Sequence, residues 1–366
     1  MTTFILSLLI SFWGTFISIK LLKPLAIKCR LVDKPNERKI HIGEIPLIGG
    51  VSVYFGFFMS LILMEQKNTI SLKYFMIATG VMLLIGLLDD KYNLSVRFRM
   101  FCQLIAASIM MFSENLKIDY LGNILFFGTI QLDWFAVPFT YLAIIGAINM
   151  FNMVDGIDGL IGGLTLSTVL SLAFLFLLDG QFCQSWICLT LITALFPFLL
   201  FNLTNTDHPK LKKIFMGDAG SMFLGFSVVW LLAIGTQGTE ASFKPVTALW
   251  IISIPLMDMA GVIIRRRKNG KSPFKPDRDH LHHIFMNAGF TSRQTLLFIT
   301  GLSLLISAVG IFLERAEIPE IISFVLFLLV FGSYLFLVKR VRYSIRVLKL
   351  IKPIIEFNQY IFKGLF

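Results

Sequence analysis

Charge is the scarcest commodity in this sequence. Asp, Glu, Lys and Arg make up 15% of its 366 residues, where an ordinary soluble domain carries about 25%. With 56% hydrophobic residues beside so little charge, a water-clad globular domain is excluded. Short alternating strands are missing too, which excludes a barrel, and open sheets cannot span lipid. Cysteine is sparse: Cys29, Cys102, Cys183 and Cys188 form no CxxC pair, so no metal knuckle or disulfide framework is suggested, and reduced, buried thiols are expected. There is no internal repeat and no low-complexity linker, and the chain reads as one domain over 1–366. The first apolar run, "TTFILSLLISFWGTFISI", has no basic residue ahead of it and no small-residue cleavage site. It reads as a retained helix and not as a removed signal peptide.

What fills the sequence is a series of apolar runs near the ~20 residues a spanning helix needs. Cutting at the polar breaks predicts an all-α polytopic membrane protein of about eleven spans, roughly 3–19, 46–64, 72–88, 100–113, 137–151, 159–178, 183–201, 221–236, 245–264, 294–313 and 320–338. Of the 33 Lys and Arg, 28 fall in one alternate set of connecting segments and 5 in the other. The positive-inside bias then puts the N-terminus outside and the C-terminus in the cytoplasm. The net charge of +11 thus reports topology and anionic lipid rather than nucleic acid. Clustered basic residues also suit a phosphorylated substrate.

Four polar clusters fall on that same cytoplasmic side, and the outer loops, chiefly the hairpin-like "LKIDYLGNILFFGTIQLDW", are poor in such chemistry. In "GLLDDKYNLSVRFR", one of Asp89 and Asp90 is suited to bind a divalent cation or act as a base while its neighbour orients Arg97 or Arg99; a solvated helix end is the alternative. In "NMFNMVDGIDGL", Asn152, Asp155 and Asp158 are spaced by three, one face of a helix if the helix continues. Oxygen ligands of this kind suit Mg²⁺ or Mn²⁺, although Asn, Asp and Gly also make plain turns. Asp218 in "FMGDAGS" sits among small residues at the start of an apolar run, fit for a metal or diphosphate or for capping a helix. "RRRKNGKSPFKPDRDHLHH" combines a basic run with Asp279, His280, His282 and His283. On a helix, His280 and His283 share a face and His282 points elsewhere. Phosphate binding is the preferred role there, since no HExxH or Cys partner supports zinc. The basic run Arg265–Arg267 also suits lipid headgroups. Asp258, inside the ninth apolar run, is either functional or hydrogen-bonded to a neighbouring helix.

Metal-binding acids beside cationic groups at a membrane surface fit transfer between a soluble phosphorylated donor and a lipid acceptor. At these motifs, together with "VDKPNERKIHIGEIPLIGG" and "SPFKPDRDHLHHIFMNAGFTSRQ" and in the same order, the chain resembles the polyprenyl-phosphate N-acetylhexosamine-1-phosphate transferases over almost its whole length. The resemblance implies an eleven-span enzyme using UDP-GlcNAc, undecaprenyl phosphate and Mg²⁺, with Mn²⁺ able to substitute, releasing UMP at the start of O-antigen or related glycan synthesis. It further implies metal binding by Asp218 and Asn152, and acceptor activation by Asp89 with Asp90 in support and Arg99 near the phosphates. Asp155 and Asp158 are expected at the nucleotide, Asp158 at the uracil. Lys39, His41 and Arg265 are expected to bind phosphates, and His280, His282 and His283 the hexosamine and diphosphate. Direct attack by the lipid phosphate is favoured over a covalent Asp intermediate. The rivals are a phospho-MurNAc-pentapeptide transferase, a polyprenyl transferase acting on aromatic acceptors, and a carrier that does no chemistry.

Overall fold

The computed structural model describes residues 2–34, 43–65, 72–204, 211–270, 272, 280–340 and 345. Nine helices among them are long and apolar enough to cross a membrane. They are α1 (Thr2–Lys28), α3 (Leu72–Tyr92), α4 (Val96–Ser113), α5 (Ala136–Val154), α6 (Leu160–Leu178), α7 (Phe182–Asn202), α8 (Gly217–Thr236), α12 (Ser292–Arg315) and α13 (Glu320–Lys339). An apolar but shorter helix, α2 (Gly49–Glu65), follows a two-residue antiparallel pair, β1 (Val32–Asp33) with β2 (Ile45–Pro46). α9 (Pro245–Ile251) and α10 (Ser253–Lys268) meet at an 80° bend, and α11 (Leu281–Asn287) is a short surface helix.

Ten of the eleven predicted apolar runs each fall on a single helix. The ninth is corrected: it is broken, not continuous. Pro255 has no N–H to bond the carbonyl of Ile251, and its ring would collide with that carbonyl in a straight helix. The freed Ile251 oxygen accepts instead from Ser307 Oγ at 3.3 Å. At the other end of α9, the Glu314 carboxylate accepts from Lys244 N at 3.3 Å and Thr247 Oγ1 at 2.6 Å, closing the exposed first turn.

α8 is hydrophobic on every face, so it belongs in the middle. It is buried along almost its entire length and packs against α2, α3 and α5. Phe223 packs on Phe57, and Trp230 on Phe75 with ring centroids 5.2 Å apart. Leu21, Phe312 and Leu329 on the peripheral helices are each more than 60% exposed. Such side chains ringing a bundle belong against lipid, and the protein is a multi-pass helical membrane protein. The segment between α4 and α5 is a hairpin as expected, with Tyr120 bridged to Gln131. The four cysteines are unbridged, but only Cys102 and Cys188 are buried; Cys29 is exposed, correcting the expectation for that residue.

Candidate active site

The site is built where α8 begins. Gly50 of α2 faces the backbone of Gly220, and Gly86 of α3 faces the backbone of Asp218 and Ala219, so closely that a Cβ on either glycine would overlap main-chain atoms. That contact brings Asp90, at the end of α3, over the first turn of α8. Its carboxylate accepts from Asp218 N at 2.7 Å and Ala219 N at 3.1 Å, filling two of the orphan amides of the helix start. Gly217, at φ +74°, leaves room for that carboxylate. The segment leading into α8 is pinned in turn: Gly49 N and Gly50 N donate to the Phe215 and Met216 carbonyls, both at 2.9 Å.

Asp89 faces the other way. Its Oδ1 accepts from Leu94 N at 2.8 Å and its Oδ2 from Arg99 Nη1 at 2.6 Å. The two acids thus divide the work: Asp90 caps α8, and Asp89 fixes the guanidinium of Arg99. Arg99 stands 4.0 Å from Asp218 Oδ2. Asp218 keeps 39% of its side chain exposed, and its Oδ1 accepts from Asn152 Nδ2 at 2.8 Å. Asn152 also donates to Ser221 Oγ at 3.1 Å.

Asn152, Asp155 and Asp158 do not share the helical face that their spacing predicts. α5 ends at Val154; Asp155 is its C-cap at ψ 73°, and Gly159 is left-handed at φ +77°. The three residues therefore occupy a helix end and a turn, not one helical face. Asp158 pairs with Lys213 at 2.5 Å. Asn202 ties this turn to the strand-like segment before α8, accepting from Gly159 N at 2.5 Å and donating to the Ile214 carbonyl at 2.8 Å.

The histidines converge more than a helix predicts. His280 is the extended N-cap of α11 and not part of it, so the 3.6-residue period does not apply. The His280 and His282 rings stack 5.8 Å apart, and His282 and His283 lie 4.2 Å apart. His282 lies against Gly156, where no Cβ would fit. Burial, then the neighbouring His283, holds the His282 pKa down to about 3. The unfolded imidazole titrates near 6.5, so the folded state loses stability as pH falls through that value toward 3. The expected loss by pH 5 is on the order of 2 kcal/mol. Melting temperature in detergent checks it: the wild type should fall between pH 7 and pH 5, and His282→Gln should fall distinctly less.

These groups share one cavity of about 1770 Å³. Its polar end holds Asp89, Asp90, Asp155, Asp158 and Asp218 with Arg99, Lys213 and the three histidines. From there it runs as an apolar trench along α5 and the bent α9/α10, past Leu142, Ile145, Leu249 and Leu256. Arg266, buried at 4% exposure, lines the wall. Arg265, the residue expected from sequence, does not, because adjacent helical positions point about 100° apart. Lys39, His41 and Asp279 lie outside the described residues. Among the described residues no three His, Cys, Asp or Glu side chains gather tightly enough to hold a metal by themselves. That donor set fits Mg²⁺, which commonly takes one or two protein oxygens and completes its shell with water and phosphate. Partly exposed Asp218 would offer such an oxygen, with the Asn152 amide beside it at 2.8 Å.

Sequence reasoning missed Lys213 and Asn202. The first had a signal: in the extended run 211–216, Ile214 is fully buried while Lys213 and Phe215 flank it and line the cavity, a period of two. Asn202 is a lone polar residue at the end of an apolar helix and carries no signal of its function.

The arrangement is that of a membrane-embedded enzyme acting on phosphates at the mouth of an apolar trench. The model of glycosyl transferase family 4 matches residues 72–236, and the chain belongs to that family. A protein of Salmonella typhi named undecaprenyl-phosphate alpha-N-acetylglucosaminyl 1-phosphate transferase is 42% identical over 349 residues, 95% of this chain and 94% of its own length. Proteins of the same name from Escherichia coli K12 and Haemophilus influenzae are 41% and 42% identical, over 92% and 90% of this chain and 91% and 93% of their own lengths.

Proposed function

We propose that this chain transfers N-acetylglucosamine 1-phosphate from UDP-N-acetylglucosamine to undecaprenyl phosphate, giving undecaprenyl-diphosphate-N-acetylglucosamine and UMP. The observation that carries the reading is the joining of an acid-and-arginine cluster to an apolar trench in one cavity, in a chain 42% identical to its named relative over 95% of its length. A soluble donor fits the polar mouth, and a prenyl tail fits the trench. An oxygen of the lipid phosphate attacks the β-phosphorus, the bond from that phosphorus to the bridging oxygen breaks, and UMP leaves. The lipid phosphate is already a competent nucleophile, so positioning and charge screening are the main tasks.

Asp218 and Asn152 would hold the Mg²⁺ or Mn²⁺ ion, which supplies neutralisation of charge at the diphosphate. Asp89 serves the acceptor through Arg99, whose guanidinium it orients, and Asp90 supports it by fixing the start of α8. Asp155 and Asp158 stand at the nucleotide, with Lys213 holding Asp158 in place. Lys39, His41 and the histidines complete phosphate and sugar binding, with Arg266 in the place expected for Arg265. Counting α2 and the bent pair as one crossing each gives eleven spans. With the basic segments inside, the reading has a periplasmic N-terminus, a cytoplasmic C-terminus and a cytoplasmic active end in the inner membrane. The product would begin O-antigen or a related surface glycan.

Purified protein in detergent is expected to release UMP only when UDP-N-acetylglucosamine, undecaprenyl phosphate and Mg²⁺ are all present, and to stop when EDTA removes the metal. No UMP from folded protein under these conditions contradicts the reading. Release with UDP-MurNAc-pentapeptide in place of UDP-N-acetylglucosamine moves the assignment to the muramoyl branch.

A further inference from the structure

Asp258 does not line the cavity, yet it is buried at 4% exposure inside α10. A lone carboxylate there would cost several kcal/mol. Three donors surround it, two from the start of α11 and one from α13. His280 Nδ1 lies 2.8 Å from Oδ2, and Leu281 N and Tyr334 Oη lie 2.9 Å from Oδ1. Tyr334 comes from α13 and is itself buried, at 9% exposure. Of the bonded side chains, only His280 reaches the cavity.

The bonding fixes more than ring position. A phenol and an amide donate to Oδ1 and favour the ionised carboxylate, and to an ionised Oδ2 the facing imidazole nitrogen brings the hydrogen. That nitrogen is Nδ1. The nitrogen His280 then offers to a bound molecule is Nε2. Stapling the start of α11 would need only the Leu281 amide, and the bonds from the ring and the phenol exceed that task. We propose that Asp258 and Tyr334 are positioning residues that hold His280 with its proton on Nδ1, presenting Nε2 to the phosphorylated substrate in the cavity. The proposal rests on the transferase reading above. It gives α13, otherwise a lipid-facing helix at the edge of the bundle, a part in the chemistry.

Asparagine at 258 keeps the shape but brings an N–H toward Nδ1, favouring the opposite tautomer. Asp258→Asn is expected to lower UMP release by roughly 10- to 100-fold, the usual cost of losing the partner on an imidazole's other nitrogen. Tyr334→Phe, which removes one donor and keeps the ring, should cost less. Adding Asp258→Asn to His280→Gln should change the residual rate by less than about twofold, because both act through one ring. A full multiplicative loss in that background overturns the proposal, as does an unchanged rate for Asp258→Asn alone.

The tautomer itself is read without turnover. In ¹⁵N-histidine-labelled wild-type protein, the signals lost in His280→Gln should show a protonated Nδ1. A bare Nδ1 there overturns the proposal even if Asp258→Asn fails to fold. Absence of UMP release by the wild type would instead strike the transferase reading, leaving the tautomer result to stand on its own.

Discussion

Asp218→Asn is expected to lower turnover by roughly 10²- to 10³-fold, the scale of losing one group aimed at developing charge in a transferase site, while the melting temperature stays near that of the wild type. Asparagine matches the carboxylate in shape. The 39% exposed side chain does not carry the packing of α8, whose first amides are held by Asp90. The charge is what disappears. Turnover within tenfold of wild type, at saturating Mg²⁺ and donor, would remove Asp218 from the metal site.

The second large effect lies where no charge is involved. Gly86→Ala places a methyl group against the backbone of Asp218 and Ala219, which cannot turn aside as a side chain can. α3 and α8 must part, and the Asp90 carboxylate then leaves the amides it caps. Overpacking of this kind costs about 1–3 kcal/mol. Here the expected loss of activity exceeds what the fraction unfolded explains, because Asp89, Asp90 and Asp218 move relative to one another. Gly301→Ala on α12, where a Cβ meets nothing within 4 Å, is the matched control and should leave turnover unchanged and stability equal or slightly raised. Thermal unfolding in detergent beside UMP release separates the two variants.

Much of this was legible in the sequence because membrane spans announce themselves by composition alone. Ten of the eleven predicted apolar runs fall on single helices, and described residues of the polar clusters at their ends gather in one cavity. What stayed hidden depends on where helices stop. Asp155 and Asp158 were assigned to a helical face, but α5 ends one residue before Asp155. The helical period predicts His282 pointing away, but His280 is the extended residue before α11, and all three rings reach the site. Arg265 and Arg266 differ by one step of a helix whose rotation the sequence does not fix. The bend at Ile252 is latent in Pro255, but its 80° angle is not written in the sequence. The division of labour between Asp89 and Asp90 needed three-dimensional contacts, since both are acids at one helix end and only the close approach at Gly86 decides which of them caps α8.

The central claim is that a sugar phosphate, and not a bare sugar, moves to a lipid phosphate. UDP-N-acetylglucosamine labelled with ³²P at the β-position tests it directly with undecaprenyl phosphate and Mg²⁺. The account predicts that the label passes with the sugar into the organic phase and that the released nucleotide is unlabelled UMP. Labelled UDP left in the aqueous phase with unlabelled lipid-linked sugar, or label that never leaves the donor, would contradict it.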